Sequence, residues 1–139
     1  MVGTGGFLNP EETLKQLNIE EGMRVADFGC GAGYFVIPLA KVVGDGGKVY
    51  ALDVLDTALE SVRSRAKLQG LFNIETRRCN LEISGSSGLE DKSLDLVVLA
   101  NILFQSDNKA DIIKEAIRIL KESGEMVVID WKENQPIGP

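Results

Sequence analysis

The sequence predicts one α/β domain built on a doubly wound parallel sheet with strand order 3-2-1-4-5. Two observations carry this prediction. Short apolar runs alternate with helix-length segments along the 139 residues, and a glycine-rich turn follows the first of those runs. Parallel strands need crossover connections, which the helical segments supply, and right-handed crossovers then fix the order. Single cores usually run about 100–200 residues, so one domain over 1–139 is expected.

Asn9, Pro10, Glu11 and Glu12 read as a helix start: Asn9 caps, proline suits the first position, and the acids meet the positive end of the helix dipole. That helix is expected to run to about Asn18. Strand one is Arg24–Phe28, a short apolar run bounded by glycines. A helix over Tyr34–Val43 follows, with Pro38 tolerable only near its first turn and Gly44, Gly46 and Gly47 stopping it. Strand two is Lys48–Leu52. Asp56 can cap the next helix, whose Leu59, Val62 and Ala66 form an inward stripe before Gly70 ends it. Ile74–Cys79 is strand three, at an edge because Glu75, Arg77 and Arg78 interrupt it. After a Gly85–Gly88 loop, Leu94–Ala100 is a buried strand four. A helix over 107–121 with Ile112, Ile113, Ala116, Ile117 and Leu120 on one face, and strand five over Glu125–Trp131, complete the pattern.

Composition narrows the function. Lys and Arg number 15 against 21 Asp and Glu, a formal charge of −6, and a field of that sign repels nucleic-acid and anionic-lipid phosphates. Neither nucleic acid nor membrane is expected as a partner. With no histidine and only Cys30 and Cys79, histidine-based bases, Ser-His or Cys-His nucleophile pairs and four-thiolate zinc sites are excluded. Two cysteines suit a reducing cytoplasm, and no apolar run reaches the roughly 18–20 residues of a membrane span.

In such a sheet the ligand crevice lies at the carboxyl ends of strands one and four, where the order reverses. There the chain reads Asp27-Phe28-Gly29-Cys30-Gly31-Ala32-Gly33-Tyr34. Glycines let a ligand lie on the backbone. The dinucleotide fingerprint fails, because its third glycine is Tyr34, and an acid before the loop repels a pyrophosphate. Asp27 suits a ligand carrying a positive group. Asp53, 24 residues after Gly29 at the end of strand two, can accept from both hydroxyls of a ribose. S-adenosylmethionine has a ribose, an ammonium and no phosphate.

DFGCGAG, VYALDV, SLDLVVLANIL and LKESGEMVVID, in that order, resemble the class I S-adenosylmethionine-dependent methyltransferases, especially the small-molecule branch near the ubiquinone and menaquinone enzymes. The resemblance implies a Rossmann-like fold and methyl transfer to a small-molecule acceptor. It implies that Asp27 holds the methionine ammonium, directly or through water, and that Gly29, Cys30, Gly31 and Gly33 line the methionine and ribose. It implies that Asp53 takes the ribose hydroxyls, with Val54 against the adenine. Asn80-Leu81 stands where the family usually has an acid on the adenine amino group, and the Asn80 oxygen can still accept that bond. The resemblance also implies that Ala100 and Asn101, ending strand four, face the methyl group and the acceptor. No catalytic residue is assigned; carboxylates such as Asp107, or a tyrosine, are the bases on offer.

The family sheet also resembles one with two further strands beside strand five, whereas this sequence ends just past it. The expectation is an exposed strand-five edge, with either two copies meeting there or the sequence being a fragment. Two other functions stay open at this stage. One is a cofactor-binding protein without turnover, and the other is a nucleotide-dependent oxidoreductase.

Overall fold

A computed structural model describes residues 9–100 and 108–129. The order of elements is α1 (Pro10–Lys15), β1 (Arg24–Phe28), α2 (Val36–Val43), β2 (Lys48–Asp53), α3 (Asp56–Leu68), β3 (Ile74–Arg78), β4 (Leu94–Ala100), α4 (Lys109–Ile119) and β5 (Leu120–Ile129). All five strands are parallel in one sheet of order β3-β2-β1-β4-β5, as the alternation implied. Asn9 caps α1 through its side chain, accepting from the Glu12 N–H at 3.1 Å.

The sheet has a different cover on each face. On one, α1, α2 and α3 bury Leu14, Phe35, Val36, Leu39, Val43, Leu59 and Val62 against Val25, Val49, Ala51 and Val98. On the other, α4 packs Ile112, Ala116 and Ile119 against Phe28, Leu94, Val97 and Leu99. β1 and β4 are central and inaccessible on both faces, which is why they read as nearly unbroken apolar runs.

Several features differ from the sequence expectation, and α1 ends at Lys15 rather than about Asn18. α2 begins at Val36 rather than Tyr34, which leaves Pro38 at the third helical position, where its missing N–H costs nothing. Asp56 does not cap α3. Leu55 holds that position without a side-chain bond, and Asp56 sits inside the first turn with its carboxylate 3.7 Å from Arg63. α4 ends at Ile119 and β5 starts at Leu120, five residues earlier than expected. The pairing skips from Leu94–Leu120 to Leu96–Glu125, so the residues between bulge away from β4. The inward face of α4 is Ile112, Glu115, Ala116 and Ile119, while Ile117, expected inside, is 58% exposed.

Three basic residues cluster on the α4 side of the sheet. Arg24, Lys48 and Arg77 surround the buried Tyr50 ring at 5.5, 5.6 and 5.5 Å from its centre. Glu75 pairs with both Lys48 and Arg77. No element covers Tyr50 from that side in the segment between β3 and β4, and the aliphatic stems and cation–π contacts of these three residues roof it.

Candidate functional site

The site grows out of the turn after β1. Gly29 N–H and Cys30 N–H both donate to the Leu52 carbonyl, at 2.8 and 3.0 Å, and Gly33 N–H donates to the Cys30 carbonyl at 3.0 Å. Gly31 N–H donates to Asp53 Oδ2 at 2.9 Å. These four amides are therefore committed to the protein's own acceptors. A phosphate cradle needs such N–H groups pointing at the ligand.

Glycine is required here by conformation. Gly31 and Gly33 have φ of +54° and +92°, in the left-handed region that residues with a Cβ rarely adopt. A Cβ on Gly33 would also come within 3.2 Å of Val62 Cγ2, so this glycine sets how closely the turn approaches α3. At Gly31 a Cβ would meet nothing within 4 Å, which marks the open, ligand-facing side of the turn.

Asp27, the fourth residue of β1, is 1% exposed, and its Oδ1 has no hydrogen-bond partner. Buried polar atoms are seldom left so. Burial first, and the nearby Asp53 carboxylate second, push the Asp27 carboxyl up to about 8. It is thus largely protonated at pH 7 until a positive group arrives. Asp53 lies at the end of β2, half-buried, with Oδ1 accepting from Leu55 N–H at 3.0 Å and Oδ2 from Gly31. Each oxygen has further lone-pair capacity. Asp53 is thus an anchor of the glycine turn as well as a ligand candidate, a second duty that the sequence reading missed.

Cys30 is buried beside these acids, and burial followed by the Asp27 and Asp53 charges raises its thiol far above neutrality. It packs as a small residue and is no nucleophile. Cys79 is half-buried at the rim of the α4-side core, with burial pushing its thiol up to about 11. Val54 is 54% exposed, and Arg78 Nε donates to its carbonyl at 3.0 Å, a support that nothing in the local pattern announces. Asn80 is exposed at the end of β3, with its Oδ1 accepting from Glu82 N–H at 3.0 Å. Leu81 differs from its neighbours: its side chain is buried among the α4-side core residues, so any ligand contact falls to its backbone. Ala100 closes β4 beside the cluster. Asn101 lies outside the described residues, as do Asp107 and Trp131.

Asp27, the 29–33 turn, Asp53, Val54 and Asn80 thus converge at the carboxyl ends of β1, β2 and β3. A groove of about 440 Å³ between α1 and α2, lined by Leu14, Leu17, Pro38 and Val42 with Lys15 and Lys41 at its rim, contains none of them. Among the described residues no cluster of acids and cysteines could hold a metal ion, and no helix is long and apolar enough to cross a membrane.

A family model described as a methyltransferase domain matches residues 19–137. The chain belongs to this methyltransferase domain family. It is 27% identical over 128 residues to a demethylmenaquinone methyltransferase of Geobacillus sp. (strain WCH70), a match that covers 92% of this chain and 53% of that protein. The chain thus spans about half the length of the curated relatives it matches. Among solved structures it resembles a SAM dependent methyltransferase from Aquifex aeolicus, with a TM-score of 0.83 and 30% identity over 94% of this chain and 68% of that one. It also resembles an arsenic (III) S-adenosylmethionine methyltransferase from Chlamydomonas reinhardtii, with a TM-score of 0.72 and 35% identity over 78% of this chain and 38% of that one. The resemblance read from the four motifs and the strand order 3-2-1-4-5 both agree with these matches.

Proposed function

We propose that the protein transfers a methyl group from S-adenosylmethionine to a small-molecule acceptor. The observation that carries the reading is Asp27: a buried carboxyl with an unpartnered oxygen at the foot of a glycine turn. Such an atom fits an ammonium. Asp27 Oδ1 would hold the amino group of the methionine moiety, directly or through water. Gly29, Cys30, Gly31 and Gly33 would line the methionine and ribose, Asp53 would accept from the ribose hydroxyls, and Val54 and Asn80 would flank the adenine.

When bound, the cofactor would supply a methyl group already activated for transfer by its sulfonium. The chain's own part is to hold donor and acceptor in line and exclude water, and alignment can contribute several kcal/mol to such a step. The end of β4 at Ala100 would face the acceptor. The relatives' names speak of a quinone and of arsenic, two non-polymeric acceptors, and the proposal is kept at that class.

Calorimetric titration with S-adenosylhomocysteine is expected to show saturable one-to-one binding, with no heat for NAD. NAD binding without S-adenosylhomocysteine binding would reverse the assignment to a nucleotide-dependent oxidoreductase. The committed amides of residues 29, 30, 31 and 33 argue against that outcome.

A further inference from the structure

The segment between β3 and β4 begins at the cofactor crevice and has no helix or strand of its own. Isolated loops of this length hold no fixed place without help. Here much of the help comes from α4, through Glu115 and its partner Arg118. Glu115 is fully buried, and its carboxylate accepts from Gly85 N–H at 2.7 Å, Ser87 N–H at 3.3 Å and the Ser87 hydroxyl. Arg118, one turn on, closes the group, donating from Nε at 3.1 Å and from Nη2 at 2.7 Å. The same guanidinium reaches the Leu89 carbonyl at 2.8 Å and Asp91 Oδ1 at 2.6 Å. This charge pair, together with Arg77 of β3, whose Nη1 donates to the Ser87 carbonyl at 3.1 Å, holds residues 85–91. Burial alone would raise the Glu115 carboxyl, but Arg118, Ser87 and Gly85 outweigh it and hold the carboxyl at about 2.

The anchored residues lead back to the site. Ser86, between the two Glu115-bound amides, donates its hydroxyl to the Asn80 carbonyl. Ile83 N–H donates to the same carbonyl at 3.0 Å, and Glu82 N–H to Asn80 Oδ1 at 3.0 Å. On its other side the backbone is tied to β2, because Cys79 N–H donates to the Asp53 carbonyl at 3.0 Å. Asn80 is therefore held between the ribose-side acid and the Glu115 anchor. Leu81, buried in the α4-side core, and Asn108, whose Nδ2 donates to Glu82 Oε1 at 2.9 Å, hold the neighbouring residues, while Glu115 and Ser86 hold the carbonyl side of Asn80.

We propose that Glu115 is a positioning residue for the purine end of the cofactor: by fixing residues 85–91 it sets the place of Asn80, and through Asn80 the preference for adenine over other bases. This rests on the cofactor reading given above.

The test compares S-adenosylhomocysteine with S-inosylhomocysteine, in which a carbonyl replaces the adenine amino group. The wild-type chain is expected to prefer the adenosyl compound about tenfold, as one hydrogen bond lost and one acceptor left opposed would give. Glu115→Gln and Asn80→Ala are each expected to abolish most of that preference, and the double variant to lose no more than either alone. Ser86→Ala, which removes only the hydroxyl link, is expected to reduce the preference about threefold and serves if Glu115→Gln does not fold. Equal weakening of both ligands, with the preference intact in Glu115→Gln or Ser86→Ala, overturns the proposal and assigns Glu115 to stability alone. So does additivity in the double variant, or a wild-type chain that binds both compounds equally. Absence of S-adenosylhomocysteine binding by the wild-type chain is a different result, and removes the cofactor reading itself.

Discussion

Asp53→Ala is expected to weaken S-adenosylhomocysteine binding about a hundredfold or more. Hydrogen bonds to a charged group contribute about 1.5–3 kcal/mol each, and two ribose hydroxyls lose their acceptor at once. A second effect adds to this. Asp53 also accepts from Gly31 N–H and Leu55 N–H, so the substitution loosens the turn on which the ligand lies. The two backbone bonds also support the fold, and a stability loss of about 1 kcal/mol is expected with the substitution. Asp53→Asn separates the two effects, because an amide keeps one acceptor oxygen for the turn and offers the ribose a mixed donor and acceptor. It should recover most of the stability and little of the affinity. Unchanged calorimetric affinity in Asp53→Ala would remove Asp53 from the ribose and leave it as a turn residue only.

The architecture was legible because burial on both faces writes parallel strands as continuous apolar runs. Leu94–Ala100 has the same bounds in sequence and structure for that reason. The glycine turn was legible because positive φ restricts residue choice, and Asp27 because an acid in an otherwise apolar strand needs a reason. Glu115 was not legible, since a glutamate in an exposed-looking helix is normally solvated and its partners lie about 30 positions away. A signal was nevertheless present. Ile112, Glu115, Ala116 and Ile119 follow the three-and-four spacing of one helix face, while Ile113 and Ile117 follow a neighbouring one. Choosing the stripe by apolar content rather than by period put Ile117 inside and left Glu115 unassigned. The same preference for composition over geometry gave Asp56 a capping role, whereas the Asp53–Leu55 bond organises that entry.

Asp27→Asn is expected to abolish cofactor binding while making the unliganded chain more stable at alkaline pH. The carboxyl is held near 8 in the fold against an ordinary value of 3.8, so between those values the folded chain carries a proton that the unfolded chain has lost. Stability from this group is complete below about pH 4 and falls as pH rises through 8, by up to about 1.4 kcal/mol per pH unit. Glu115 acts with the opposite sign, since its carboxyl is held at about 2 and its contribution is lost only as the solution becomes strongly acidic. In urea unfolding, wild type and Asp27→Asn should therefore converge near pH 4–5 and diverge towards pH 8, with the variant the more stable. The charges facing Asp27 from β2 and the glycine turn are Asp53 and the un-ionised Cys30, neither of which can substitute for a cation. An ammonium supplies what the fold withholds. Binding at pH 7 should then expel up to one proton from Asp27, seen as a calorimetric enthalpy that changes with the ionisation enthalpy of the buffer, and affinity should rise with pH and level off above 8. Buffer-independent enthalpy in the wild-type chain, together with parallel stability profiles for wild type and Asp27→Asn, would mean that Asp27 is already ionised without ligand and that its burial has another cause.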